Sequence, residues 1–245
     1  MENSIHLEQK KRPGKGYTGN GLKILAMITM FIDHSAAGFL WFYLDSHNMY
    51  SGGFQNLYMV LRFIGRVAFP IYCFFIVEGF EKTSNLKKYM LRLLGFGVLS
   101  EVPFDYGLFG KWYPSYQNVY FTLLLGLLAL TIYRFMEEKV NNYILLIIGY
   151  VIIGGATGAI AELLHTDYGA IGVGIICLLY LFRKDRKKQC IVGAVSFLWE
   201  LTAPISFVFL YFYNGEKGRK IPKYLFYGFY PLHLAFIAVL RYAFL

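Results

Sequence analysis

Charged residues are scarce in this chain. Asp, Glu, Lys and Arg make up 16% of its 245 residues, whereas a typical soluble domain contains about 25%. Hydrophobic residues reach 57%, and the mean hydropathy is +0.46. A soluble protein needs polar side chains on the outer side of its elements, and this sequence has too few of them. The composition therefore excludes a water-exposed globular domain and indicates a surface that faces lipid.

Familiar catalytic and metal-binding motifs are also missing. The sequence has no HExxH, no Cys/His ligand spacing and no Walker motif, so we predict neither a metal site nor nucleotide hydrolysis. Cys73, Cys177 and Cys190 lie in or beside apolar segments without a pairing pattern, which favours packing roles over disulfides. The net charge of +9 is compatible with nucleic-acid binding. However, the basic residues form short clusters between apolar runs, so we predict no nucleic-acid partner.

Long apolar runs are abundant. A helix that crosses the bilayer needs about 20 mostly apolar residues, and the candidate stretches are 22–44, 57–80, 89–109, 118–136, 143–163, 168–182, 190–213 and 224–244. Backbone groups in lipid must be satisfied within the segment, so these stretches are helices. The sequence predicts an all-α, polytopic transmembrane helix bundle with eight or nine membrane segments. Residues 22–245 form a single transmembrane domain, and residues 1–21 form a basic tail.

The clusters of Lys and Arg predict the orientation. Cytoplasmic loops are enriched in these residues, and the clusters lie in the tail, in the 81–92 connection and in the 183–188 connection. The connections 45–56 and 164–167 are nearly free of them. We therefore expect an integral protein of the plasma (inner) membrane, in contact with the lipid bilayer, with a cytoplasmic N-terminus.

Two prolines are expected to interrupt predicted spans. The basic loop 214–223 would lie outside if all eight spans were simple, but a break at Pro204 would make the seventh stretch re-entrant and return this loop to the inside. Pro103 is expected to break the third helix between Glu101 and Asp105, at the mouth of a pocket.

Ionisable residues within the apolar runs are the candidates for function. Each costs roughly 2.5–3.5 kcal/mol at the centre of a membrane helix, so such residues persist where they are paired or line a polar cavity. In addition to Asp33 and His34, the polar-cavity candidates are Arg62, Arg66, Glu78, Glu101, Asp105, Glu200 and His233. Arg62 and Arg66 share a helix face and need acidic partners or an anionic ligand. Their expected partners are Asp33, Glu101 and Asp105, unless a buried ion network only fixes helix packing.

Five runs of the sequence resemble the TraX family of integral membrane proteins. They are LKILAMITMFIDH (22–34), RFIGRVAFP (62–70), VEGF (77–80), LSEVPFD (99–105) and FYPLHL (229–234). The name-giving member of that family is associated with N-terminal acetylation of a conjugative pilin. The resemblance implies a membrane-bound acetyltransferase that uses acetyl-CoA as its acyl donor.

The TraX family is similar in turn to the larger group of membrane-embedded acyltransferases. In that group, a basic residue, ten intervening residues and an essential histidine lie on the first helix, and Lys23 and His34 fit this pattern. The resemblance makes His34 the general base or the acyl carrier, and Asp33 beside it the second catalytic candidate. A nearby carboxylate is expected to hold the tautomer of His34, as in catalytic triads.

An Arg-x-x-x-Arg motif of the larger group has two competing matches here. Arg62 and Arg66 match the residue types and spacing of the motif. Lys88 and Arg92 match its location at the cytoplasmic start of the third helix, with Lys in place of the first Arg. Under the resemblance, Lys88 and Arg92 bind coenzyme A together with Lys23.

The acceptor stays open at this point: a protein N-terminus, a glycan, a lipid or a small amine, acylated on nitrogen or oxygen. Two other classes of function also stay open. In a proton-coupled secondary transporter, Asp33, His34 and Glu101 would form a proton relay. In a non-catalytic membrane assembly protein, the buried charges would only fix helix pairing.

Overall fold

The computed structural model describes residues 16–245, so most of the predicted basic tail lies outside the described residues. The α-helices are α1 Gly19–Ser35, α2 Trp41–Ser46, α3 Gly52–Gly65, α4 Ala68–Lys82, α5 Leu86–Phe104, α6 Val119–Lys139, α7 Tyr143–Leu163, α8 Gly169–Leu181, α9 Arg186–Ser196, α10 Ser206–Tyr211 and α11 Lys223–Phe244. Two π-helical turns, Ala36–Leu40 and Asp105–Phe109, follow α1 and α5, and a 3₁₀ turn, Ala203–Ile205, precedes α10. The predicted all-α bundle is confirmed for these residues.

Within residues 16–245, five helical segments are long and apolar enough to cross a membrane: Gly19–Ser46, Gly52–Lys82, Val119–Lys139, Tyr143–Leu163 and Lys223–Phe244. They correspond to five of the eight predicted stretches. Large apolar side chains are exposed along them, for example Val151 and Val239. Because such a surface is stable only against lipid, the chain is an integral membrane protein. The total of eight or nine segments stays a prediction, since α5 carries several charges and α8 is short.

Polar side chains cap the starts of five helices, α1, α5, α6, α7 and α9. Thr18, Asn85, Asn118, Asn142 and Asp185 each accept a hydrogen bond from a backbone N–H in the first turn of the helix that follows. Such N-caps satisfy donors that a helix leaves unpaired, and each contributes about 1 kcal/mol.

Residues 190–213 divide at Pro204 into two short helices, as the break at this proline predicts, and their re-entrant placement in the membrane stays a prediction. Helices α9 and α10 pack against each other as a hairpin, with Pro204 in the 3₁₀ turn between them. At the start of the hairpin, Arg186 lies 4.0 Å from Glu78. At its end, the backbone N–H of Asn214 donates to Tyr17 O at 3.0 Å. Both ends of the hairpin therefore lie beside the start of α1.

The loop 214–223 consequently joins the other basic segments. Asn20 N donates to Lys217 O at 2.9 Å, and Lys82 Nζ donates to Gly215 O at 2.9 Å. We call the side of the bundle that holds Lys82, Lys217 and Arg183 the basic end, and the side that holds His47 the distal end. Under the positive-inside rule the basic end is cytoplasmic, which stays a prediction.

Ion pairs tie three helices together at the basic end. Arg134 on α6 pairs with Glu81 on α4 at 2.8 Å, and Arg183 after α8 pairs with Glu137 on α6 at 2.8 Å. Arg183 also lies 3.5 Å from Glu81. These charged side chains at the basic end thus find their partners on neighbouring helices.

The segment Gly52–Lys82 is broken at its centre. Arg66 and Val67 form a turn between α3 and α4, and Thr202 Oγ1 donates to the Phe63 carbonyl at 2.5 Å. The break places Pro70 in the first turn of α4, where its missing N–H removes no intrahelical hydrogen bond. It also turns Arg66 toward the centre of the bundle.

Pro103 does not end its helix, contrary to the sequence-based expectation. Helix α5 continues through Pro103 to Phe104, and the π-helical turn 105–109 follows. This turn packs against the other π-helical turn so closely that a Cβ atom on Gly38 would lie 2.3 Å from Gly107 O. Arg241 Nη1 donates to Gly38 O at 3.0 Å and Nη2 donates to Tyr106 O, which satisfies carbonyls at both turns.

Candidate active site

Two histidines form a hydrogen-bonded pair between α1 and α11. His34 Nδ1 lies 2.7 Å from His233 Nε2, and the two ring planes are nearly parallel, at 9°, with centroids 5.0 Å apart. His233 Nδ1 lies 2.7 Å from Phe229 O. A carbonyl oxygen only accepts, so His233 Nδ1 carries the proton and its Nε2 accepts from His34 Nδ1–H. In the neutral pair the free lone pair therefore lies on His34 Nε2, the atom that a general base uses.

The orienting group of His34 is thus a histidine, and the expectation of a carboxylate is wrong. Asp33 lies next in sequence, but adjacent helical residues point about 100° apart. Its Oδ2 accepts from Arg62 Nη1 at 2.7 Å instead. Asp33 and His34 nevertheless line the same cavity.

The acidic partners of the two arginines are Asp33 and Glu200. Arg66 Nη1 lies 3.0 Å from Glu200 Oε1, which the α9–α10 hairpin carries into the bundle. Helix α3 approaches α1 so closely that a Cβ atom on Gly65 would lie 2.0 Å from Asp33 Cβ. Only glycine fits at this crossing, and the close approach brings Arg62 within reach of Asp33.

Three other predicted polar-cavity residues lie elsewhere. Glu101 accepts hydrogen bonds from the backbone N–H and the side-chain amide of Asn118, and Asp105 accepts from the Tyr113 N–H at 2.9 Å. These two carboxylates hold the distal loop in place, so their expected pairing with arginine is wrong. Glu78 forms a 2.5 Å ion pair with Lys82 at the basic end and does not line the cavities described below.

A cavity of about 260 Å³, which we call the histidine cavity, contains His34. Its polar lining consists of Asp33, His34, Arg62, Arg66, Tyr72, Tyr116, Asp167, Tyr168 and Tyr230, and its apolar lining includes Met30, Phe69 and Phe104. Charged side chains and an imidazole thus share one space with aromatic walls. Such an arrangement is typical of a reaction site and not of a simple packing defect.

Asp167 is a site residue that sequence reasoning missed. Residues 166–168 turn into the bundle, where Asp167 N donates to Gln117 O at 2.8 Å and Tyr116 Oη lies 3.3 Å from Asp167 Oδ1. Burial raises the pKa of Asp167 to about 6. Because this segment lacks Lys and Arg, the sequence marked it only as a distal loop, and no local signal showed that it bends inward.

A second cavity of about 370 Å³, which we call the basic cavity, opens near the basic end. The cations along it are Lys23, Lys82, Arg92, Lys217 and Lys223, and no acidic side chain lines it among the described residues. Lys23 and Arg92 both line this cavity, and their predicted contact with coenzyme A stays a prediction. Lys88 is exposed and does not line the cavity. Lys217 and Lys223 join it because the hairpin returns their loop to this end.

Helix geometry relates the two cavities. His34 lies 11 positions after Lys23, just over three turns, so they share one face of α1 and lie roughly 16 Å apart along its axis. On α4, Phe69 lines the histidine cavity, Phe75 lines the basic cavity, and Tyr72 between them lines both. Tyr72 is therefore the one residue that the two cavities share among the described residues.

A third cavity of about 480 Å³, the aromatic vestibule, lies on the distal side of the histidine cavity. It shares Ala37, Leu108 and Phe109 with the histidine cavity and is lined further by Trp41, Phe42, Tyr58, Lys111 and Tyr113. His34 is thus approached by cavities from both ends of the bundle.

Within residues 16–245, no three His, Cys, Asp or Glu side chains gather as a metal site.

Comparison with known proteins agrees with this architecture. Residues 18–241 match the family described as TraX protein. The chain is 33% identical to the "Probable fimbrial assembly protein FimC, serogroup H1" of Dichelobacter nodosus, over an alignment that covers 88% of this chain and 92% of that protein. No solved structure matches. The family match takes in α1 to α11 and both histidines, and we conclude that this membrane protein belongs to the TraX family.

Proposed function

We propose that this protein is a membrane-embedded, acyl-CoA-dependent acetyltransferase with His34 at its catalytic centre. The observation that carries the proposal is the His233–His34 hydrogen bond, which leaves a free imidazole nitrogen in a cavity that adjoins a cluster of cations. A base and a site for an anionic donor are the two parts that acyl transfer from coenzyme A requires.

The basic cavity suits the donor. Coenzyme A carries several phosphate charges, which cationic side chains attract. Of the five cations along this cavity, Lys82 is already paired with Glu78, whereas Lys23, Arg92, Lys217 and Lys223 form no ion pair within residues 16–245. Arg92 Nε is buried and has no hydrogen-bond partner among the described residues, so it is available to a ligand. The pantetheine arm then spans the axial distance from Lys23 to His34, and the thioester reaches the histidine cavity.

The transfer step follows from the positions of these groups. An acceptor amine or hydroxyl in the histidine cavity attacks the thioester carbonyl, and His34 Nε2 takes the proton that the acceptor loses. The C–S bond then breaks, and the leaving thiolate of coenzyme A receives that proton. In a second route, His34 Nε2 itself attacks the thioester carbonyl, and the C–S bond breaks to release the thiolate of coenzyme A. The acceptor then attacks the acetyl carbon of acetyl-His34, the N–C bond to Nε2 breaks, and the proton that the acceptor loses passes to the thiolate. In both routes His233 stabilises the imidazolium or acylimidazole from behind.

The aromatic vestibule supplies the entry for the acceptor from the distal end. With the basic end in the cytoplasm, the acetyl group would cross most of the membrane between donor and acceptor. The similarity to a probable fimbrial assembly protein supports a subunit of a surface fibre as the acceptor, modified before or during its assembly.

Label transfer from radiolabelled acetyl-CoA tests the proposal. Purified protein in nanodiscs is incubated with the donor and a membrane extract of acceptors, and both labelled product and free coenzyme A are quantified. We expect His34→Ala to abolish both signals, while His47→Gln, which replaces an exposed histidine outside the cavities, retains them. Equal activity of wild type and His34→Ala, or the absence of transfer by wild type, would leave a non-catalytic assembly role.

A further inference from the structure

The charged groups around the histidine cavity include one carboxylate more than the cations. Asp33 pairs with Arg62 at 2.7 Å. Glu200 pairs with Arg66 at 3.0 Å. Asp167 lines the cavity as a third carboxylate and forms no ion pair within residues 16–245. Three carboxylates thus share two guanidinium groups. Because an excess carboxylate is costly to bury and pairs no helices, its presence points to a chemical role.

The backbone that carries Asp167 is strained. His165 and Tyr168, on either side of it, have φ angles of 50° and 65°, in the left-handed region that residues other than glycine rarely adopt. Hydrogen bonds hold this conformation: Asp167 N donates to Gln117 O at 2.8 Å, and Thr122 Oγ1 donates to Asp167 O. Strain of this kind persists where the surrounding structure fixes a side chain in position, often at a functional site. Here the side chain that is fixed is the excess carboxylate.

Asp167 and His34 are two different bases on one cavity. His34 Nε2 keeps a free lone pair, since His34 Nδ1 is bonded to His233, and an imidazole nitrogen of this kind can attack a thioester. Burial raises the pKa of Asp167 to about 6, which leaves it largely ionised at neutral pH and suited to accept a proton. The cavity therefore contains a nucleophile and a separate base.

The contacts of Asp167 place it toward the aromatic vestibule. Tyr116 Oη lies 3.3 Å from Asp167 Oδ1. The Tyr116 ring is in edge-to-face contact with Phe109, with centroids 6.0 Å apart, and Phe109 lines both the vestibule and the histidine cavity. An acceptor that arrives from the distal end therefore comes to the side of the cavity on which Asp167 lies.

We propose that Asp167 is the catalytic base that deprotonates the acceptor, and that His34 is the acyl carrier of a two-step transfer. The inference rests on the proposed function and decides between its two routes. His34 Nε2 attacks the thioester carbonyl, and the C–S bond breaks to release the thiolate of coenzyme A. The acceptor N–H or O–H then gives its proton to the Asp167 carboxylate while its N or O atom attacks the acetyl carbon. The bond from this carbon to Nε2 breaks, its electron pair returns to the imidazole, and the proton passes from Asp167 through water to the thiolate.

The experiment measures the two half-reactions separately. Purified protein in nanodiscs is mixed with acetyl-CoA that carries the label in the acetyl group, with or without a membrane extract of acceptors. Rapid quenching then gives free coenzyme A, label on the protein and label on acceptors. We expect Asp167→Asn to release its first coenzyme A at the rate of wild type and to retain one acetyl group per protein. Transfer to acceptors should fall by roughly 10²- to 10⁴-fold. Added hydroxylamine should remove the retained acetyl group, and His34→Ala should retain none.

Two further variants serve as controls. Glu162→Gln removes an exposed carboxylate outside the histidine cavity, at the start of α8, where Glu162 accepts from Ala170 N at 3.1 Å. The amide oxygen of Gln still accepts this hydrogen bond, so transfer should match wild type. Asp167→Glu keeps a carboxylate and should recover part of the transfer. If Asp167→Asn does not fold, Asp167→Ser takes its place.

The possible failures are distinguishable. If wild type transfers acetyl and the folded Asp167 variants transfer it equally fast, Asp167 is not the base. If these variants lose transfer without retaining acetyl on the protein, His34 is not the carrier. Either result overturns the inference and leaves the acetyltransferase proposal standing. If wild type transfers no acetyl group, both proposals are overturned.

Discussion

His34 Nδ1 and His233 Nε2 are joined across α1 and α11 by a 2.7 Å hydrogen bond, and Phe229 O fixes the proton on the far side of His233. This chain of donors and acceptors does for His34 what a carboxylate does in a catalytic triad, without placing a negative charge beside the base. The two histidines lie 199 residues apart in sequence, so the pair exists only in the folded bundle.

The first prediction concerns His233 as a positioning residue. His233→Ala removes the acceptor for His34 Nδ1–H and frees the other tautomer, so kcat should fall by roughly 10²- to 10⁴-fold. The KM for acetyl-CoA should stay nearly constant, because the donor is held in the basic cavity. His233→Gln, whose carbonyl oxygen accepts a hydrogen bond, should recover part of kcat. A change in KM alone would contradict the positioning role.

The second prediction separates the cations of the basic cavity from Lys88. Hydrogen bonds to charged groups contribute about 1.5–3 kcal/mol, so Arg92→Met should raise the KM for acetyl-CoA by roughly 10- to 100-fold with little change in kcat. Lys23→Met should act in the same direction. Lys88→Met is the matched control, since Lys88 is exposed outside the cavity. Steady-state kinetics at two salt concentrations measure the effect, and an equal rise for Lys88→Met would restore the sequence-based assignment of this residue to coenzyme A.

The third prediction tests the contact between the two π-helical turns. In Gly38→Ala the new Cβ atom would lie 2.3 Å from Gly107 O, so backbone must shift and stability should fall by about 1–3 kcal/mol. Gly95→Ala on α5 is the control, because nothing lies within 4 Å of its added Cβ atom. That variant should be stabilised by about 1 kcal/mol through helix propensity. Thermal unfolding in detergent, followed by intrinsic fluorescence, compares the two; equal stability of both variants would argue against the close crossing.

The fourth prediction is a pH dependence that arises from Asp167. Its pKa is raised from 3.8 to about 6 in the folded protein, so folding favours the protonated form. The stabilisation is fully present below pH 4 and is lost as the pH rises through 6. Asp167→Asn stays neutral and should therefore become more stable than wild type above pH 6, by at most about 3 kcal/mol. Unfolding temperatures of both proteins from pH 4 to 8 measure this difference, and parallel curves would show that Asp167 is solvated.

The fifth prediction concerns the re-entrant hairpin. The native cysteines Cys73, Cys177 and Cys190 are buried, so an introduced surface cysteine gives the main signal. With the basic end in the cytoplasm, Lys220→Cys should react with an impermeant maleimide only after the cells are permeabilised. Ser51→Cys at the distal end should react in intact cells. Labelling of both positions from the same side would contradict the hairpin.

Much of the fold was predictable because it follows from local physics. The low charge content indicates a surface that faces lipid, and each apolar run of about 20 residues indicates a membrane helix. Pro204 and the basic loop 214–223 together indicated the hairpin that α9 and α10 form. The expectation that Pro103 breaks the third helix was wrong. Helix α5 continues through Pro103 to Phe104, and a π-helical turn then follows.

The site was predictable only in part, because its geometry depends on pairs that are distant in sequence. His34 and Lys23 were identified through a spacing on one helix, which a repeat of 3.6 residues per turn places on one face. Glu200 as the partner of Arg66 and Asp167 as a cavity residue depend on how a hairpin and a distal loop bend into the bundle. No residue near either position in sequence carries that information.

The sequence by itself determined that this chain is an integral membrane protein and that the charges inside its apolar runs need partners. It also determined that His34 and Lys23 lie on the same face of α1. Only the tertiary structure decided that a histidine and not a carboxylate orients His34, and that Tyr72 lines both cavities. The physical reason is that hydropathy and helical periodicity act along one segment, whereas hydrogen bonds and cavities are made between segments whose mutual position is set by packing of the whole bundle.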